Sequence, residues 1–395
     1  MTTIVDHLTI PCKQRNMDWL KAALQIAIEL EHSTLPLYLS GMFSLKTQNY
    51  TSYNLIRSVA MEEMVHMAVA CNILSAIGGT PRIKTLDPGF PSKGLPGGAE
   101  PDLTAVLAKV STRQLENYLR VEMPDFLLPD EYKDEKYPTI AGLYDAIKNA
   151  IGDNADEVRA AMKKGGTSNQ IGDDIGFTTI KYSNKSDPLD QLYSGIQEIL
   201  EQGEGLTSRT LHAGPASESE PAHYCKFAEI YYGARYRQPQ SGIELTRTTE
   251  PEFFKGYRIP FPNVVNTLAV PKDGYAQLLK HDPNAAEVKK NLLAFDKNYT
   301  VLMNELDAMW NGPADRSWPT FGKAVRAMFS MRVLAAFNIM KYEVPANAVA
   351  RLGEIYPEEY DLLSTYTDLQ ATVFYGPRFV NQNVGAPHGT GRPQP

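Results

Sequence analysis

The chain has 395 residues, 43% hydrophobic and 22% charged, which is ample for one large core or two ordinary ones and excludes a disordered polypeptide. Its net charge of −7 argues against a nucleic-acid binder, which would normally show a basic stripe. The three cysteines, Cys12, Cys71 and Cys225, are scattered and odd in number, which argues against a disulfide framework or a cysteine-held zinc. No run reads as long and apolar enough to cross a bilayer, and the first residues show no signal-peptide core. A cytoplasmic protein with no membrane or nucleic-acid partner is therefore expected.

The first long helical pattern covers about Met17 to Leu39, with Leu20, Leu24, Ala27, Glu31, Leu35 and Tyr38 on one face and Pro36 near the end. A second helix, about Ser52 to Ile77, closes on Gly78-Gly79 and Pro81, a glycine cap followed by a helix stop. Residues 83–187 are mixed: Pro- and Gly-rich turns, a helix near Leu103–Val121, shorter ones around Thr139–Ala150 and Ala155–Lys163, then a loop or short strand over Asn169–Ser183. A third bundle helix is expected from Pro188 to Glu204 and a fourth from Glu220 to Tyr236, with further helices near Ala285–Trp310 and Trp318–Lys341. The segment 376–395 reads as an extended or disordered tail.

Two echoes carry chemistry. The second helix contains Glu63-Met-Val-His66 and the fourth Glu220-Pro-Ala-His223. Residues three apart share a helix face, so each pair can offer a carboxylate and an imidazole to one point. Two such motifs plus one Glu from each of two partner helices make the ligand set of dinuclear carboxylate bundles. Oxygen donors with two imidazoles suit iron or manganese better than copper or zinc. Glu63 and His66 fall in an apolar stripe with Ile56, Val59, Ala70, Ile73 and Ile77, and a buried carboxylate there needs a cation or a pairing with His66 or Arg57.

On the first helix Glu31 lies on the core stripe, whereas Glu29 and His32 share a polar face with Lys21 and Gln25 and read as solvated. Tyr38, two turns on, is placed to hydrogen-bond a ligating carboxylate or to serve as a core aromatic. On the third helix the apolar row Leu189, Tyr193, Ile196, Leu200 leads to Glu204, with Glu201 as the alternative. Pro221 is acceptable in a first helical turn, with Ser219 as the N-cap. Glu122, just before a proline stop, reads as solvated or salt-bridged, with the alternative that it reaches the site from the insertion.

The stretches LEHSTLPLYL, VAMEEMVHMAVACNILSAIGGTP, ILEQGEG and EPAHYCKFAEI, with FDKNYTVLMNELDAMW and AVRAMFSMRVLAAFNIM further on, resemble the ferritin-like domain family that includes the helical part of iminophenylpyruvate dimer synthase. The resemblance spans residues 12–342. It implies an all-α, ferritin-like four-helix bundle over 12–345, with a crossover insertion (83–187) between helices 2 and 3 and C-terminal extension helices (237–345). It implies metal ligands at Glu31, Glu63, His66, Glu204, Glu220 and His223. In the reaction expected on this basis, Glu63 and Glu220 bridge two iron ions, with manganese the alternative, and O2 is co-substrate in the oxidation of a small organic molecule. The insertion would act as lid or substrate wall. An external electron donor and a monomer or small homo-oligomer complete the expectation. The competing readings are a non-catalytic metal-binding or storage protein and an oxidative-coupling protein of the dimer-synthase kind.

Overall fold

Apolar periodicity of three and four residues yields long helices wherever glycine and proline leave it uninterrupted. The computed structural model describes residues 4–46, 50–128, 139–166, 168–172, 179–204, 221–239, 243–313 and 316–384 and is predominantly helical. A short α1 (Ile4–Leu8) precedes α2 (Met17–Ser44). The Asn16 side chain caps α2 by accepting from the amides of Asp18 and Trp19. The helix continues through Pro36, five residues beyond the expected end. Its partner α3 (Tyr50–Ala76) ends as expected: Gly78 has φ 76°, and the amides of Gly78 and Gly79 return to the carbonyls of Ser75 and Leu74. Gln25, near the start of α2, exchanges two hydrogen bonds with the backbone of Arg82, just past α3, so the pair is antiparallel.

By length and composition α3 qualifies as a membrane span, contrary to expectation. Yet 78% of its apolar window is buried by the rest of the fold, as befits a core helix.

The insertion is less a cover than a structural part of the bundle. It opens with a two-stranded antiparallel ribbon, β1 (Ser92–Lys93) and β2 (Thr104–Ala105), paired Ser92 to Ala105 and Lys93 to Thr104. The helix expected from Leu103 begins only at Thr112, as α4 (Thr112–Val121). Residues 103–110 instead run extended, where Val106 accepts from the Gln114 side chain, and Ser111 caps the helix. Then follow α5 (Ile140–Asp153), α6 (Ala155–Lys164), α7 (Leu189–Glu204) and α8 (His223–Tyr232). The described residues of 169–183 form no strand. The α2–α3 pair meets α7 and α8 in the bundle core, while α5 packs on α2 and α7, and α4 packs on α8.

Beyond the bundle, α9 (Ala285–Asn311) and α10 (Ser317–Val333) pack against each other, and α10 passes into a π-helical turn, Leu334–Ile339. Three short helices follow, α11 (Ala346–Val349), α12 (Leu352–Ile355) and α13 (Tyr360–Tyr366). From Gly376 to Val384 the chain has no regular helix or strand but is tied down: Arg378 bonds Asp296, Phe379 packs on Phe43 and Phe295, and Asn381 is buried. The remainder of the 376–395 tail lies outside the described residues.

Asn72 locks the outer layer to the bundle. Its amide donates to the Ile171 carbonyl, and its oxygen accepts from the Ile171 amide and from Trp310 Nε1. Asn72→Ala leaves buried partners unsatisfied and is expected to cost about 2 to 4 kcal/mol, read as a lower urea midpoint at unchanged slope.

Candidate metal centre

On α2 the spacing of Glu31, Thr34 and Tyr38 puts three polar groups on the buried face, and on α3 Glu63 and His66 face them. His223 opens α8, and Glu122 caps the C-terminus of α4. All of these are buried.

The three carboxylates share one disposition. Each gives one oxygen to a hydroxyl and turns the other inward. Thr34 donates to Glu63 Oε2 at 2.8 Å, Tyr144 of α5 to Glu31 Oε1 at 2.5 Å, and Tyr38 to Glu122 Oε1. The opposite oxygens face the imidazoles: Glu63 Oε1 lies 2.7 Å from His223 Nδ1 and 3.9 Å from His66 Nδ1. Glu31 Oε2 is 3.7 Å from His66 Nδ1, and Glu122 Oε2 is 3.4 Å from His223 Nδ1. Glu63 thus stands between the two rings, with Glu31 on the side of His66 and Glu122 on the side of His223.

The imidazoles follow the same logic. His66 Nε2 meets Gln202 Oε1 at 2.8 Å, and His223 Nε2 meets Glu62 Oε2 at 2.9 Å. Each outer nitrogen is taken, which leaves Nδ1 facing inward with its ring orientation fixed. Lys226 grips both oxygens of Glu62 at 2.6 and 2.8 Å, so its charge serves the outer partner of His223.

Ligand atoms of Glu63, His66 and His223 fall within 4.8 Å of one another. His223 Nδ1 is fully buried and, although close to Glu63, has no aligned hydrogen-bond partner. An orphaned inward nitrogen beside three inward carboxylate oxygens is a donor set that a cation satisfies.

The titration behaviour agrees. Burial, then the charge of Glu63, push Glu31 well above the usual carboxylate range, and the same two causes raise Glu122. Burial would raise Glu63 too, but His223 and His66 override it and hold it down to about 2. Burial lowers His66 to about 4, whereas for His223 the carboxylates Glu122, Glu62 and Glu63 outweigh burial and raise it well above its ordinary value. Tyr38 and Tyr144 are raised well above theirs by burial and by neighbouring carboxylates, so both remain donors.

Several expectations need correction. Glu122 is neither solvated nor salt-bridged at the surface; it is buried in the cluster and is the carboxylate that Tyr38 serves. His32 is not solvated either: it is buried against Tyr299 of α9, whose hydroxyl meets its Nε2 at 2.8 Å. The second Glu-x-x-His motif is not a helical turn, because α8 begins at His223 with Ala222 as its N-cap, and Glu220 lies outside the described residues. On α7 the buried row is Leu189, Leu192, Ile196, Ile199, one register away from the row Leu189, Tyr193, Ile196, Leu200. That row continues to Gln202, the residue that reaches His66. Glu204 ends the helix and its side chain lies outside the described residues, while Glu201 accepts from Gln197. Arg57 is exposed on another face of α3 and does not pair with Glu63.

A profile described as ferritin-like matches residues 24–232, more than half of the chain. With this bundle and this cluster on view, the chain belongs to the ferritin-like family, and its fold is the all-α bundle expected. The crystal structure of a ferritin-like protein from Caulobacter vibrioides at 1.95 Å resolution is similar to it, with a TM-score of 0.54 and 19% identity over 81% of this chain and 96% of that one. At that identity the likeness is one of fold. No curated protein matches the chain.

The pKa directions fix a sign. Glu31, Glu122 and His223, all raised, stabilise the metal-free fold below their ordinary values and lose that contribution as pH rises through their folded values; Glu63, depressed, keeps its contribution down to about 2. A cation replaces those protons. His66 and His32, lowered to about 4, act in the opposite sense up to the ordinary imidazole value, so the metal-free protein is expected to melt lower as pH rises above that value, from about 7 to about 9, and the increase in Tm on adding Mn2+ to grow over the same interval. Gln202→Leu, which frees His66 Nε2, is expected to weaken metal binding by about 10- to 100-fold in a competitive chelator titration.

Proposed function

We propose that this protein is a non-haem dinuclear iron oxidoreductase that uses O2 to oxidise a small organic substrate. The observation that carries the reading is the set of five buried inward atoms, Glu31 Oε2, Glu63 Oε1, Glu122 Oε2, His66 Nδ1 and His223 Nδ1, each with its other heteroatom already occupied. These five residues would hold the metal, with Glu31 beside His66, Glu122 beside His223 and Glu63 between the two rings. Glu204, the last residue of α7, and Glu220 stay in the proposed set as further ligands. Iron in this environment would supply the redox equivalents for O2 chemistry; manganese has the same preference for hard oxygen and imidazole donors and is the alternative.

The chain's own residues do the rest. Thr34, Tyr38 and Tyr144 each keep a proton on a hydroxyl oxygen and hold one carboxylate oxygen away from the centre. Tyr118 and Phe227, packed on Tyr38, exclude water from that side. Oxidative coupling of the dimer-synthase kind, without the metals, is the competing reading. A cytoplasmic location, an external electron donor and a monomer or small oligomer belong to the iron oxidoreductase proposal as well. A fixed, individually braced donor set favours catalysis over storage, where ions must pass through.

Anaerobic reconstitution with Fe2+ followed by metal analysis tests the reading. About two irons per chain are expected for the native protein and fewer than about one for Glu63→Ala or His66→Ala. Brief exposure to O2 should then produce a visible absorption transient in the native protein alone. Native protein that keeps less than about one iron overturns the proposal.

A further inference from the structure

The opposite face of the α2–α3 pair borders a second cavity, of about 610 Å3, walled on its far side by α9 and α10. None of the proposed metal ligands lines it. Its volume lies within the range of about 300 to 1,000 Å3 typical of small-molecule sites. The lining is overwhelmingly apolar, and 8 of the chain's 13 methionines contribute to it, among them Met61, Met64, Met303 and Met328. Unbranched, polarisable thioethers adapt to a flexible ligand better than a rigid aliphatic wall does. Met61 and Phe329 are exposed and form an apolar approach.

The charge in the lining is one-sided. It contains no Asp or Glu, and its two permanently charged residues are Arg57 and Arg332. The Arg332 guanidinium sits 5.1 Å from the centre of the Tyr53 ring, and Arg57 is one turn after Tyr53 on α3, so the two cations share a rim. Both are exposed, and neither forms an ion pair with an acid among the described residues. At the inner end, His32 and Tyr299 satisfy each other.

We propose that this cavity binds an amphipathic anion: a long, flexible apolar chain lying among the methionines, with one carboxylate held by Arg57 and Arg332. The site is separate from the metal centre, and the inference does not depend on the redox reading.

Calorimetric titration of the full-length protein with palmitate tests it. Saturable binding of one palmitate per chain is expected. Methyl palmitate, and palmitate with the Arg57→Met/Arg332→Met double variant, should each bind at least about tenfold more weakly, because a charge-assisted pair is lost. Val325→Trp, which fills the cavity from α10, should abolish binding while leaving iron content unchanged. The arginine variants lie at the exposed rim and keep the test decisive if the tryptophan variant fails to fold. The proposal is overturned if native protein shows no saturable binding, or if the ester or the double variant binds as tightly as native protein binds palmitate. It is equally overturned if palmitate does not bind and Val325→Trp removes a concentration-dependent self-association, which would make this face a contact between copies of the chain.

Discussion

Burying three carboxylates around two imidazoles, each with an oxygen within 4 Å of a ring nitrogen, is the constraint on which the rest of this bundle depends. Like charges in a poorly hydrated interior repel strongly, and their burial is tolerated only with protons, hydrogen-bond donors or cations to offset it. The chain supplies hydroxyls on one side of each group and imidazoles on the other. The donors must approach from several directions and so come from four helices: Thr34 and Tyr38 from α2, His66 from α3, Tyr144 from α5 and His223 from α8. That requirement explains why the insertion contributes two packed helices: α4 brings Glu122, and α5 brings Tyr144. Without them, Glu31 would lose its donor and the His223 side of the cluster its carboxylate.

Because the hydroxyls take the outer oxygens, the inner ones compete for whatever positive charge is available. With no metal bound, that charge is the proton, which accounts for the raised values of Glu31, Glu122 and His223 around a strongly ionised Glu63. Lys226 is kept out of this competition by its two bonds to Glu62, one residue from Glu63 but directed to the far nitrogen of His223. A lysine among the inner oxygens would neutralise them permanently. Holding it one shell out keeps the interior short of cations while steering the tautomer of the ring.

What the sequence made legible follows from the same physics. Glu31, Glu63 and His66 interrupt apolar stripes, and a polar residue at core spacing is visible without coordinates. His223 is legible from its motif, even though α8 begins only at His223. Glu122 and Tyr144 sit on short insertion helices whose packing partners are far away in sequence, so nothing local distinguishes them from solvated or core residues. Gln202 is hidden by register. Tyr193 and Leu200 are as apolar as Leu192 and Ile199, and only the packing of α7 decides which pair faces inward. His32 is misjudged for the reason that α9 matters: a polar face beside Lys21 and Gln25 looks solvated until a second layer of helices covers it and Tyr299 provides a partner.

That second layer gives the α2–α3 pair two chemically opposed sides. Successive side chains on a helix diverge by about 100°, so Glu31 and His32, or Glu63 and Met64, lead into different compartments. One compartment is acidic and braced atom by atom; the other is apolar, methionine-lined and free of carboxylates. The segregation has a physical basis. A carboxylate facing the cavity would lack the hydroxyl and imidazole partners that make burial tolerable on the other side, and a methionine facing the cluster would displace one of those partners. Helices α2 and α3 therefore act as a partition as well as a scaffold. Placing Glu31 beside His32 and Glu63 beside Met64 turns the metal donors away from the methionine-lined cavity.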